Sequence, residues 1–83
     1  MIAIEFEYDQ LPWMTVESSA MRRVAHEARG LWVEFVSGEI YLYRQVPRHL
    51  VDQFMASDSL GRFLNDHIRD RFPFDHIFLA REN

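Results

Sequence analysis

Leu31-Trp-Val-Glu-Phe-Val-Ser-Gly-Glu-Ile-Tyr-Leu-Tyr-Arg-Gln-Val-Pro47 is the stretch whose reading decides the fold. Leu31, Val33 and Phe35 alternate with Trp32, Glu34 and Val36; Ile40 and Leu42 then alternate with Tyr41 and Tyr43. A period of two, rich in β-branched and aromatic side chains, marks two strands, and Ser37-Gly38 between them marks a β-hairpin. Turn type sets its register. A two-residue type I′ turn needs positive φ at both Ser37 and Gly38, whereas a type I turn closed by a G1 bulge needs it at Gly38 alone. Serine has no preference for that region, so the bulge is favoured. Phe35 then pairs with Glu39, Val33 with Tyr41 and Leu31 with Tyr43. The tyrosines share a face with the apolar strand residues, and Trp32, Ile40 and Leu42 fall on the opposite face.

Beyond the hairpin the period changes. Pro47 suits a first helical turn, and Leu50, Val51, Phe54 and Met55 recur at helical spacing, which predicts an amphipathic helix of roughly 8–10 residues. Ala56-Ser57-Asp58-Ser59 offers caps for a second helix with the stripe Leu60, Phe63, Leu64, Ile68 and Phe72, ended by Pro73. Ile77, Phe78 and Leu79 read as a short terminal strand or as packing against the sheet. Upstream, residues 19–27 alternate weakly. A three-residue connection through Ala28-Arg29-Gly30 favours an antiparallel strand there over a short helix. Residues 2–8, with Ile2, Ile4, Phe6 and Tyr8 on one side, read as a further strand, which Leu11-Pro12-Trp13 interrupts. With no repeat, linker or low-complexity tract, the 83 residues read as one domain.

Composition narrows the function classes. A hydrophobic content of 48% with 14% aromatic residues fits a folded chain, and the absence of cysteine removes disulfides and thiolate metal sites. The first ten residues carry acid where a signal peptide carries base, and no apolar run approaches the roughly 18 residues of a membrane helix. The expectation is a cytoplasmic protein. Its formal net charge is −4, with Glu5, Glu7, Asp9 and Glu17 as the only charged residues before Arg22, so the excess acid is N-terminal. Every basic residue is arginine, which suits bidentate contacts with carboxylate or phosphate.

The order of several short motifs resembles the KTSC domain, a family named after the C-terminus of some lysyl-tRNA synthetases and found also as small stand-alone bacterial and phage proteins. The likeness runs through Val16-Glu-Ser-Ser19, Leu31-Trp-Val-Glu-Phe35, Gly38, the Tyr-x-Tyr of Tyr41-Leu-Tyr43, and Val46-Pro47. It continues through Ala56-x-x-Ser59-x-Gly61-x-Phe63-x-Asn65, Ile68-Arg69 and Phe72-Pro-Phe74. The family usually has Tyr-Asp where this chain has His26-Glu27, and often tyrosine at the position of Phe72. The resemblance implies an α+β fold, a three-stranded antiparallel sheet followed by two helices packed on one face. The domain core would span about 14–74, with residues 1–13 as an N-terminal extension. It also implies no established activity and a suggested role in RNA binding.

Candidate sites follow from residue chemistry. His26, His49, His67 and His76 lack the i,i+4 pairing of a zinc motif, so no metal or other cofactor is expected. Asp66 and Asp70 share a helix face, but Arg62 and Arg69 at helical spacing make an exposed ion-pair lattice the favoured reading over paired catalytic acids. Ser18 and Ser19 have no base beside them, and backbone bonding is their expected role. No catalytic residues are assigned. Ser59, Gly61 and Arg62 at a helix start resemble an anion site, against which Asp58 supplies a cap of like charge to phosphate. Tyr41 and Tyr43 either stack on unpaired bases or lie beneath the helices, and the bulged register favours burial.

The expected function is a small non-catalytic accessory module. Its nucleic-acid candidates are Tyr41, Tyr43, Ser59, Gly61, Arg62 and Arg69. The alternative is a protein-interaction module, including a homodimer, that uses Trp32, Ile40 and Leu42 on the second sheet face. That face is too apolar to stay wet, and the N-terminal extension, through its strand and Trp13, is the candidate to cover it within one chain.

Overall fold

A computed structural model describes residues 10–77. Five antiparallel strands lie in the order of the chain: β1 (Met14–Thr15), β2 (Met21–Glu27), β3 (Gly30–Phe35), β4 (Ile40–Arg44) and β5 (Phe74–Ile77). Between β4 and β5 the chain forms α1 (Arg48–Met55) and α2 (Leu60–Phe63), which continues as a π-helical turn over Leu64–Ile68. The α+β class stands, with helices against one face of an antiparallel sheet. The sheet is wider than three strands. Both additions lie at its edges: β1 is two residues long, and β5 begins directly after Pro73, three residues before the expected terminal strand. The strand read over residues 2–8 lies outside the described residues, as do Phe78 and Leu79.

The hairpin has the bulged register. Leu31 pairs with Tyr43, Val33 with Tyr41 and Glu34 with Ile40. The Gly38 N–H donates to the Phe35 carbonyl at 2.9 Å, and the Phe35 N–H to the Glu39 carbonyl at 2.9 Å. Gly38 has φ +97°, the conformation that a G1 bulge demands and a β-carbon resists. Nothing lies within 4 Å of a β-carbon built there, so the cost of substitution is conformational only. In urea melts Gly38→Ala is expected to destabilise by about 1 kcal/mol or more, and Ser37→Ala by less. Equal, negligible shifts in both variants would refute this account of the turn.

Gly30, which the spacing places in the β2–β3 connection, pairs with Glu27 on one side and Arg44 on the other. The connection is therefore the two residues Ala28 and Arg29, and Gly30 is the first residue of β3. The second helix keeps its stripe: Leu64 and Ile68 are buried in the helix-side core, and Leu60, Phe63 and Phe72 pack against it. Its last turn widens where the Arg69 N–H reaches back five residues to the Leu64 carbonyl at 2.8 Å. The Pro73 carbonyl then accepts the Arg44 N–H at 2.8 Å, which starts β5 alongside β4.

Two apolar clusters occupy the two sheet faces. Under the helices Met21, Val24, Leu31, Val33, Tyr43, Val46, Val51, Phe54, Leu64 and Ile68 are buried together. On the other face Ala25, Trp32, Ile40, Leu42 and Ile77 form the second cluster, with Leu11 and Trp13 packed against it. The parity of β3 and β4 accounts for the split: residues that alternate along a strand alternate between faces, and the register joins like with like.

Candidate functional site

A cleft of about 500 Å³ opens between the helix-bearing sheet face and the second helix. Its sheet side is Phe35, Tyr41, Tyr43 and Phe74, and its helix side is Gly61, Leu64, Asn65 and Arg69. β4 supplies the two tyrosines because the bulge turns both toward the helices. Phe74 joins them across the β4–β5 ladder, where it is the register partner of Tyr43. The π-helical turn brings Arg69 to the rim, where its Nη1 donates to Asn65 Oδ1 at 3.0 Å. The expected lattice of Arg62, Asp66 and Arg69 does not form. Among the described residues no ion pair joins these three, and the Arg69 guanidinium donates instead to the neutral amide of Asn65.

The tyrosines are less available than a stacking platform requires. Tyr43 is 4% exposed. Tyr41 is half-buried and enclosed by rings: His76 lies parallel at 4.6 Å, Tyr43 near-parallel at 6.2 Å, Phe74 tilted at 5.2 Å and Phe35 edge-on at 5.5 Å. Phe74, by contrast, is 49% exposed. It is the open ring of the cleft, and sequence reasoning missed it as a site residue. The available signal was its place directly after a helix-ending proline, where an apolar residue starts an edge strand.

Burial pushes the Tyr43 phenol above its ordinary 10.0; the Arg69 guanidinium opposes the shift and Tyr41 adds to it. A proton held more tightly in the folded chain than in the unfolded one stabilises the fold until the unfolded chain begins to lose it. Stability should therefore be level up to about pH 10 and fall as pH rises through the raised folded value. Urea melts carried into alkali should show that decline in the native protein and a weaker one in Tyr43→Phe. An identical decline in the variant would remove Tyr43 as its source.

The remaining candidates separate. Ser59 Oγ accepts the Arg62 N–H at 3.2 Å, so it caps the helix and its hydroxyl is already engaged. The Ser59 side of Gly61 faces a second, polar depression lined by Thr15, Glu17, Ser18, Ser57 and Asp58, and Arg62 lines neither hollow. Ser59 and Gly61 both line that depression while Arg62 does not, so the three residues do not converge on one hollow. A β-carbon on Gly61 would meet Ala20 at 3.9 Å, an ordinary contact, so close packing does not require glycine.

Ser18 Oγ accepts the N–H groups of Ala20 and Met21 at 3.1 and 3.3 Å, which fixes the start of β2. His26 Nε2 lies 2.9 Å from the Val46 carbonyl, and the His67 ring packs on Phe63 at 4.6 Å. Among the described residues no group of three or more potential ligands is placed to hold a metal ion.

The interaction surface expected on the second face is not open. Trp32, Ile40 and Leu42 are 0%, 2% and 5% exposed, and Leu11 and Trp13 pack against their cluster. Trp13 is anchored by the Arg23 guanidinium, which lies 4.3 Å from its ring centroid and also pairs with Glu34. Trp32 Nε1 donates to Glu27 at 2.7 Å, so its indole is satisfied inside the chain. No described helix is long and apolar enough to cross a membrane.

Comparisons with known proteins agree with this architecture. The profile of the KTSC domain matches residues 17–72. A protein from Tsukamurella paurometabola is 37% identical over 59 residues, covering 69% of this chain and 88% of that protein. A protein from Stutzerimonas stutzeri described as uncharacterized is 39% identical over 54 residues, covering 63% and 76% of the two. Among solved structures, that of a KTSC domain protein from Yersinia pestis superposes with a TM-score of 0.76 at 26% identity, over 82% of this chain and 99% of that one.

Proposed function

The chain belongs to the KTSC domain family, and on that footing we propose that it is a non-catalytic accessory module that binds single-stranded RNA weakly at the cleft between β4–β5 and the second helix. One observation carries the reading: Tyr41, Tyr43, Gly61 and Arg69, separately singled out from the sequence, line one cleft together with the exposed ring of Phe74. An apolar concavity with a few convergent polar groups is the usual form of a ligand site, and an aromatic wall beside a guanidinium suits an unstacked base and its phosphate. The net charge of −4 works against the phosphate backbone, so affinity is modest and comes from the cleft rather than from the field of the whole protein.

Filter binding of single-stranded RNA across a salt series tests this. Arg69→Ala should weaken binding and flatten its salt dependence, whereas Arg62→Ala, away from the cleft, should change both less. Tight, salt-insensitive binding, or equal effects of the two substitutions, would contradict the assignment.

A further inference from the structure

We propose that the cleft is a single-nucleotide site: it takes one unpaired nucleotide, with the ring against Phe74 and the phosphate at Arg69, and does not track a strand. This rests on the nucleic-acid reading above and adds to it the size of the recognised unit. Proteins that follow a single strand line a basic groove with successive stacking rings. Here each component occurs once. Tyr43 is buried, Tyr41 is enclosed by neighbouring rings and Phe35 is half-buried and set edge-on against Tyr41, which leaves Phe74 as the exposed ring. Arg69 is the one cation among the described lining residues, and its guanidinium is pre-positioned by Asn65.

The cleft also has an unfavourable direction for a second phosphate. Glu39 lines it and is exposed, so a strand continued toward the hairpin turn would meet a carboxylate. A volume of about 500 Å³ falls within the range of small-ligand pockets. One ring, one cation and a flanking acid describe a site that ends where one nucleotide ends.

The test is calorimetric titration of the full chain with nucleoside 5′-monophosphates and with single-stranded oligoribonucleotides of increasing length. Affinity should be set by the first nucleotide and grow with length only in proportion to the number of places at which a strand can bind. The slope of log K against log salt should be about −0.7, the value for one neutralised phosphate on a single strand. Arg69→Gln should abolish that slope, and Phe74→Ala should weaken mononucleotide binding about tenfold or more. Both side chains are exposed, and circular dichroism will confirm that the variants fold.

Oligomers that bind while monophosphates do not, or a slope that steepens with each added nucleotide, would overturn the single-nucleotide site and leave RNA binding standing. Monophosphate binding with no oligomer binding would uphold the single-nucleotide site and overturn the RNA reading. Silence with every probe would overturn both.

Discussion

Gly30→Ala is expected to cost on the order of 3 kcal/mol or more, enough to unfold much of a domain this small. Gly30 has φ +146°, outside the comfortable range of residues with a β-carbon. The steric term is larger. A β-carbon there would sit 2.2 Å from the Tyr43 carbonyl oxygen, 2.9 Å from the Gln45 nitrogen and 3.0 Å from the Arg44 α-carbon. All three are backbone atoms of the β4 end, so no side-chain rotation relieves the overlap. Moving that backbone would pull Tyr43 out of the core and break the Gly30–Arg44 register that starts the β3–β4 ladder. Gly38→Ala is the control, because it shares the positive φ but faces open space. Urea melts of the two variants should differ by about 2 kcal/mol or more. If Gly30→Ala melts with Gly38→Ala, the close approach of the strands is not what fixes glycine at residue 30.

Removing residues 1–13 should produce the second large effect, a loss on the order of 3 kcal/mol, self-association, or both. The deletion takes away Leu11 and Trp13, which pack on Ala25, Trp32, Ile40, Leu42 and Ile77. It also strips the ring from the Arg23 guanidinium, leaving the Arg23–Glu34 pair more exposed to water, where such a pair contributes little. The uncovered face would present a large indole and two aliphatic side chains that are now 5% exposed or less. Burial of apolar area at about 25 cal/mol per Å² makes that face costly to wet and attractive to a second copy. Light scattering at two concentrations, run beside urea melts, separates lost stability from association. Trp13→Ala isolates the share of the ring itself. A truncated protein that stays monomeric with an unchanged midpoint would show that these residues do not stabilise the second face.

Several features of the cleft depended on contacts that strand and helix periodicities do not encode. The anion site at Ser59 was attractive as a run of residue types, yet its hydroxyl accepts a backbone N–H of its own helix, a local bond that competes with any ligand. The interaction face of Trp32, Ile40 and Leu42 was correctly placed opposite the tyrosines, and its closure within the chain depended on where Leu11 and Trp13 lie. Phe74 was invisible as a site residue because its exposure follows from an edge strand in register with Tyr43, a pairing made across 31 residues of chain.

By itself the sequence determined the hairpin and its faces. Side chains alternate strictly along a strand, and Gly38 tolerates the positive φ of a bulge better than Ser37, so Leu31, Val33, Tyr41 and Tyr43 had to share one side. It also determined α1, through helical spacing after Pro47. Only the tertiary structure decided that β5 closes onto β4, that Arg69 of the second helix and Phe74 of β5 line one cleft, and that Gly30 lies against the backbone of β4. The physical reason is range. Alternation and turn chemistry act over a few neighbouring residues, whereas these placements are fixed by packing between segments far apart in the chain, where many side chains compete for the same space.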